Sequence, residues 1–160
     1  MKVYLAGSMS GGREFADGLL AINSVLQEFG HEVLTPFVVD ERISATRFPG
    51  LQGQDEARAV FEDDLRLLQQ ADVAIAEISQ PSTGVGVEIG FLVGLARLSG
   101  AEKPTLFLRH QSLEGTRNSK MVEGNVHGSL VYYKPHNVHE ILTEFFKDLG
   151  QEGKVNKERE

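Results

Sequence analysis

The chain has no cysteine. That absence excludes disulfide bonds, zinc sites built from thiolates and cysteine nucleophiles, but it does not identify a cellular compartment. The 5 histidines are scattered and show no metal-ligand spacing such as HExxH. We therefore expect neither a metal ion nor another cofactor.

Long apolar segments and a surplus of positive charge are also missing. No window approaches the roughly 18 consecutive apolar residues of a membrane span, and the start MKVYLAG lacks the basic segment and long apolar core of a signal peptide. The net charge of -7 argues against binding of DNA or RNA, although it is compatible with a small anionic ligand. We expect a cytoplasmic protein that binds neither a membrane nor a nucleic acid polymer.

The 160 residues, of which 41% are hydrophobic, suffice for one domain with a sizeable core. A short apolar run at 3–6 is followed by apolar residues at helical period over 15–29, by Gly30 and by a second apolar run at 31–35. This order predicts a strand, a helix that Gly30 ends, and a parallel strand, joined as a right-handed βαβ unit.

The same alternation continues along the chain. Helical patterns cover 55–70, 87–98 and 138–149, and strand patterns cover 73–76, 105–109 and 129–133. The polar segment 40–53 predicts a loop with at most a short helical piece, at the rim of a site. The sequence thus predicts a single α/β domain over residues 1–149, a Rossmann-like (flavodoxin-like) sandwich whose five-stranded, mostly parallel sheet is flanked by helices. Residues 150–160 are predicted to form a charged, disordered tail.

Three polar loops follow predicted strand ends, namely GSMSGGR, TPFVVD and SQPSTGVGVE. Ligands of open α/β sheets bind outside the carboxyl ends of the strands, so we expect these loops to form one pocket. Glycines, hydroxyls and an arginine in the first loop suit a phosphate, and they suit a tight serine-capped turn equally well. The loop is neither a GxGxxG fingerprint nor a Walker A sequence.

Two carboxylates are candidates for chemistry. The sequence places Glu88 in the first turn of a helix, where the helix dipole alone favours a charge, but nearby glycines also leave room for a substrate. Asp64 lies beside the apolar face of its helix, although its acidic neighbours also fit a solvated face. A nucleophile and an acid/base carboxylate in one pocket are what cleavage of a glycosyl bond requires. Tyr4, on the first strand, fits either the core or the pocket.

The strings VYLAGSMSGGRE, EDDLRLLQQADVAIAEISQPSTGVGVEIG and KPTLFLRHQS together resemble the nucleoside 2-deoxyribosyltransferase superfamily. Within it the chain looks most like the branch that hydrolyses 2′-deoxynucleoside 5′-phosphates, and the resemblance runs from Lys2 to about Phe146. It implies hydrolysis of the N-glycosidic bond, which gives free base and 2-deoxyribose 5-phosphate. Base exchange by a transferase, or sensing of a monophosphate without catalysis, are the alternatives.

The resemblance also implies roles for single residues. Glu88 matches the glutamate that attacks the anomeric carbon and forms a glycosyl-enzyme ester, Asp64 matches an aspartate that acts as acid/base or positions the sugar, and Tyr4 matches a tyrosine of the pocket. The implied contacts to the substrate and its phosphate are Gly7, Ser8, Met9, Ser10, Gly11, Gly12, Arg13, Phe37, Ser82, Gly84, Ser119 and Met121. Ser119 resembles a serine that reaches the neighbouring subunit's site, which implies a homodimer.

One position bears on the kind of substrate. Ser82 stands six residues before Glu88, where transferases of unphosphorylated nucleosides typically carry an aspartate that binds the 5′-hydroxyl. A neutral hydroxyl tolerates a phosphate dianion that a carboxylate would repel, so Ser82 favours a nucleotide. Ser10 and Phe37 replace an arginine and a histidine of the mammalian-type hydrolases. An aromatic ring at Phe37 could stack on a base without reading its edge, so the base preference stays open.

Overall fold

The computed structural model describes residues 1–9 and 14–157. The five strands are β1 Lys2–Ala6, β2 Glu32–Val33, β3 Val73–Glu77, β4 Thr105–His110 and β5 Ser129–Tyr133. The described α-helices are α1 Ala16–Glu28, α2 Glu41–Ala45, α3 Gly53–Gln70, α4 Thr83–Ser99, α5 Lys120–Glu123 and α6 Val138–Lys157. Within this part of the chain, no helix combines the length and the apolar character that crossing a membrane requires.

The strands form one parallel sheet in the order β2-β1-β3-β4-β5, which confirms the predicted fold class. From β1 the chain continues to β2 at one side of the sheet, and from β3 it continues to β4 in the opposite direction across the sheet. The gap between the carboxyl ends of β1 and β3 is therefore the topological switch point, where ligands of such sheets bind.

Alternate residues of each strand pack into two separate cores, because successive side chains of a strand point to opposite faces. Val3 and Leu5 pack with residues of α1 and α6, whereas Tyr4 and Ala6 pack with residues of α3 and α4. This alternation places the Tyr4 side chain on the same face of the sheet as α3 and α4.

The first helix ends as the sequence predicts. Gly30 has a φ of +73°, its N–H donates to the carbonyl of Gln27 at 2.9 Å, and the N–H of His31 donates to the carbonyl of Leu26 at 3.0 Å. These two bonds are the Schellman arrangement, which needs a left-handed residue where Gly30 stands.

Three predicted boundaries are wrong. Helix α4 begins at Thr83 and not near position 87, because Ser82 caps it: the Oγ of Ser82 accepts the N–H of Val85 at 3.4 Å. Glu88 consequently lies in the second helical turn and not in the first. Strand β2 has only two residues, and α6 continues past the predicted end at Leu149 to Lys157. The division into a domain and a disordered tail stays a prediction.

Gly18 in α1 is the described glycine at which an added Cβ would come closest to another atom of the protein. An added Cβ would lie 1.8 Å from the hydroxyl oxygen of Tyr133, a fully buried residue whose hydroxyl donates to Glu77 Oε1 at 3.1 Å. We expect Gly18→Ala to lower the free energy of unfolding by about 2–3 kcal/mol, measured by urea denaturation, because the clash breaks a buried hydrogen bond. Gly94→Ala is the control: this helical glycine of α4 has nothing within 4 Å of its added Cβ, so its stability should not fall. Equal stability of the two variants would contradict this packing.

Candidate active site

Glu88 and Tyr4 meet across the switch point. The Tyr4 hydroxyl, on β1, donates a 2.8 Å hydrogen bond to Glu88 Oε1 from α4, and Tyr4 is only 1% exposed. The other carboxylate oxygen of Glu88, Oε2, is buried and has no hydrogen-bond partner among the described residues. The carboxylate is thus held by one oxygen, while the second oxygen makes no competing bond within the described chain.

The surroundings of Glu88 bring its ionisation close to neutral pH. Burial is the largest effect and raises the pKa of Glu88 to about 7. The hydrogen bond from Tyr4 and the charge of Arg47 lower this pKa, whereas the charge of Asp64 raises it. Burial and the charge of Glu88 raise the pKa of Tyr4, which keeps its hydroxyl a hydrogen-bond donor. A carboxyl group that titrates near pH 7 is suited to catalysis at that pH.

Asp64 lies on α3, close enough for its charge to act on both Tyr4 and Glu88. Its Oδ1 accepts a 2.5 Å hydrogen bond from Nη2 of Arg47. Burial raises the pKa of Asp64, and the bond and charge of Arg47 oppose that rise. The structure therefore brings together the three residues that the sequence singles out for catalysis. Their chemical roles stay predictions.

Ser82 lies at the N-terminus of α4, beside a cavity of about 700 Å³. The segment after β4 lines the other side of this cavity with Arg117, Ser119 and Lys120. Arg109, which is buried, holds that segment by donating to the carbonyl of Arg117 at 3.0 Å. The helix N-terminus and the three lining cations Arg109, Arg117 and Lys120 make this cavity suitable for an anion.

The other predicted contacts are more dispersed. Ser8, Met9 and Phe37 line a second cavity of about 320 Å³ between α1 and the segment after β2. Gly7 packs against α1, where an added Cβ would lie 2.5 Å from a methyl group of Leu19. Gly84 lies in the first turn of α4, next to Ser82.

Two predicted contacts on the segment after β4 are exposed in the single chain. Ser119 is exposed, and Met121 is exposed to 86%. The predicted contacts Ser10, Gly11, Gly12 and Arg13 lie outside the described residues.

Sequence reasoning missed Arg47. Its guanidinium lies 3.6 Å from the centre of the Phe37 ring and also pairs with Asp63 and Asp64. The only signal in the sequence is a cation within the polar segment 40–53. No spacing rule connects a loop arginine to carboxylates 16 and 17 residues later.

Comparison with known proteins points to one family. The model of a family described as "Nucleoside 2-deoxyribosyltransferase" matches residues 3–123. A 5-hydroxymethyl-dUMP N-hydrolase of Esox lucius is 37% identical over 155 residues, which cover 95% of this chain and 100% of that protein. An enzyme of the same name from Rattus norvegicus is 41% identical over 128 residues, which cover 79% of this chain and 71% of that protein.

A solved structure has the same fold. The CMP N-glycosidase of Clostridium botulinum superimposes with a TM-score of 0.57 at 20% sequence identity, over 91% of this chain and 99% of that one. At this identity the similarity supports the arrangement of the sheet and helices alone.

Proposed function

Because the chain belongs to the nucleoside 2-deoxyribosyltransferase family, we propose that it hydrolyses the N-glycosidic bond of a 2′-deoxynucleoside 5′-monophosphate. The products are the free base and 2-deoxyribose 5-phosphate. The observation that carries this proposal is the buried Glu88 carboxylate at the switch point, held by Tyr4 and accompanied by Asp64. The relatives that the chain matches over most of its length act, by their names, on a nucleotide of this class.

In the first step, ionised Glu88 attacks C1′ of the sugar. The bond between C1′ and the base nitrogen breaks, the base departs with the electron pair and takes a proton from water, and an ester joins Glu88 to the sugar. The transition state resembles a 2-deoxyribosyl cation, which forms readily because no electron-withdrawing 2-hydroxyl opposes it. Tyr4 keeps one carboxylate oxygen oriented during this step.

In the second step, water attacks C1′ of the ester and releases the sugar phosphate. Asp64 accepts the proton of that water and later returns it to solvent, and Glu88 leaves as a carboxylate again. The pairing of Asp64 with Arg47 supports this role, because a guanidinium favours the ionised carboxylate that a base must be.

The phosphate is proposed to bind at the N-terminus of α4, near Ser82 and the cations of the 700 Å³ cavity. We also propose a homodimer, in which Ser119 reaches the partner's substrate. Exposure of Ser119 in the single chain supports this arrangement. A sedimentation mass of one chain would contradict the dimer. The cytoplasmic location stays a prediction.

The pH dependence of kcat/KM is expected to follow the ionisation of Glu88. A carboxyl group with a pKa of about 7 is neutral below that pH and cannot attack, so kcat/KM should rise about tenfold per pH unit up to roughly pH 7 and then level off. Steady-state assays from pH 5 to 9 measure this rising part of the pH profile, its acid limb. Tyr4→Phe removes a hydrogen bond that stabilises ionised Glu88 and should move the limb to higher pH. A limb that stays in place in Tyr4→Phe would assign it to another group, such as the substrate phosphate.

Base release from a panel of deoxynucleotides, with and without a second free base, tests the proposed function. The proposal predicts free base and 2-deoxyribose 5-phosphate in both conditions. A new nucleotide that contains the added base would instead identify a transferase. Binding measured by calorimetry without any turnover would identify a sensor.

A further inference from the structure

Arg47 is a partly buried cation in the segment between α2 and α3. Its side chain is 12% exposed, and its guanidinium carbon lies 3.6 Å from the centre of the Phe37 ring and 4.9 Å from that of Phe48. Stacking on an aromatic face fixes the plane of a guanidinium, so its N–H groups point in set directions.

Those N–H groups bridge two adjacent carboxylates. Nη2 of Arg47 donates to Oδ2 of Asp63 at 2.7 Å and to Oδ1 of Asp64 at 2.5 Å, and Nε donates to Oδ2 of Asp63 at 3.1 Å. Asp63 has a second partner, because Arg66 Nε donates to its Oδ1 at 3.1 Å. In the described part of the chain, the bond from Arg47 to Oδ1 is the one hydrogen bond that the Asp64 carboxylate accepts.

We propose that Arg47 is a positioning residue of the hydrolysis: it holds Asp64 through Oδ1 and leaves Oδ2 ionised and free to accept the proton of the attacking water. This inference rests on the proposed function for the identity of the reaction. It adds that the segment between α2 and α3 contributes to catalysis, because its Arg47 positions Asp64.

The charges around Asp64 explain why this cation matters. The charge of Asp63, also on α3, raises the pKa of Asp64, and the charge of Asp64 in turn raises the pKa of Glu88 on α4 and of Tyr4 on β1. Arg47 is the one positive charge that contacts Asp64 among the described residues. Without it, a half-buried carboxylate would stand beside two others, and Asp64 would hold its proton to higher pH.

The test compares two arginines of the same cluster. Arg47→Met keeps a long apolar side chain against Phe37 and removes the charge, whereas Arg66→Met removes the other partner of Asp63 and leaves Asp64 untouched. We expect Arg47→Met to lower kcat on the order of 100-fold. It should also move the acid limb of the pH profile upward, because the charge of Arg47 lowers the pKa of Glu88, to which that limb is assigned. Arg66→Met should change neither. Arg47→Lys restores the charge without the planar fork, so it should return the limb toward the wild-type pH but recover only part of kcat.

A second readout does not depend on turnover. The carboxyl carbon of Asp64, followed by NMR through a pH titration, should titrate at higher pH in Arg47→Met than in the wild type. If Arg47→Met and Arg66→Met match each other in kcat, in the pH profile and in this titration, Arg47 is only a structural link and the inference is overturned. If the titration moves as expected but the wild type cleaves no nucleotide, the proposed function fails while the pairing of Arg47 with Asp64 stands.

Discussion

Glu88→Gln is expected to lower base release by roughly 10⁴-fold or more, because an amide cannot attack C1′. Glutamine has nearly the shape of glutamate and can still accept the hydrogen bond that Tyr4 donates at 2.8 Å. The loss should therefore appear in kcat, with the fold intact. A coupled assay of free base measures it, and Glu62→Gln, an exposed position on α3, is the control that should keep full activity. Activity retained in Glu88→Gln would show that another group attacks the sugar.

The same variant should be more stable than the wild type at high pH. Folding raises the pKa of Glu88 from 4.5 to about 7, so burying the ionised group costs stability that grows as the pH rises from 4.5 to 7. Glutamine never carries this charge. Urea denaturation at pH 8 should show a gain of up to about 3 kcal/mol in the free energy of unfolding, and the gain should vanish below pH 4.5. A variant that is inactive and less stable at pH 8 would point to a general disturbance of the site.

Ser82→Asp is expected to lower kcat/KM for a deoxynucleotide by about 10²- to 10³-fold. A carboxylate about 4 Å from a phosphate is repelled by roughly 4 kcal/mol per unit charge near a protein surface. Aspartate is as good a helix cap as serine, so it should still accept the N–H of Val85 and preserve the start of α4. The activity should therefore fall through charge and not through loss of the helix.

Ser82→Asn separates these two causes. Asparagine has the shape of aspartate and also caps helices, but it is neutral. We expect it to keep most of the nucleotide activity, and we expect neither variant to weaken the slow cleavage of an unphosphorylated nucleoside. Equal losses in Ser82→Asp and Ser82→Asn would mean that size at this position, and not charge, limits the substrate.

The spacing of apolar residues in the sequence is sufficient to predict the order of strands and helices in the fold. Three of the apolar runs form the buried strands β1, β3 and β4, and Gly30 ends α1 in the left-handed conformation that its position suggests. The start of α4 was misplaced, because Gly84 and Gly86 have low helix propensity and outweighed the capping signal of Ser82. That error also put Glu88 one turn too close to the helix start.

The site was predictable only in part. Glu88 and Asp64 could be found because each carboxylate lies near small or apolar neighbours in the sequence. The link between Arg47 and Asp64 could not, because it depends on how the segment after α2 returns to α3 and on the ring of Phe37 beneath the guanidinium. Such contacts arise from tertiary packing and have no local period or motif.

The most direct measurement is kcat/KM of one protein preparation for three matched compounds: a deoxynucleoside 5′-monophosphate, the same deoxynucleoside without phosphate, and the corresponding ribonucleotide. With Glu88 as the nucleophile and Ser82 at the phosphate, we expect base release from the first compound and much slower release from the other two. No release from any deoxynucleotide, or equal release with and without the phosphate, would contradict this expectation.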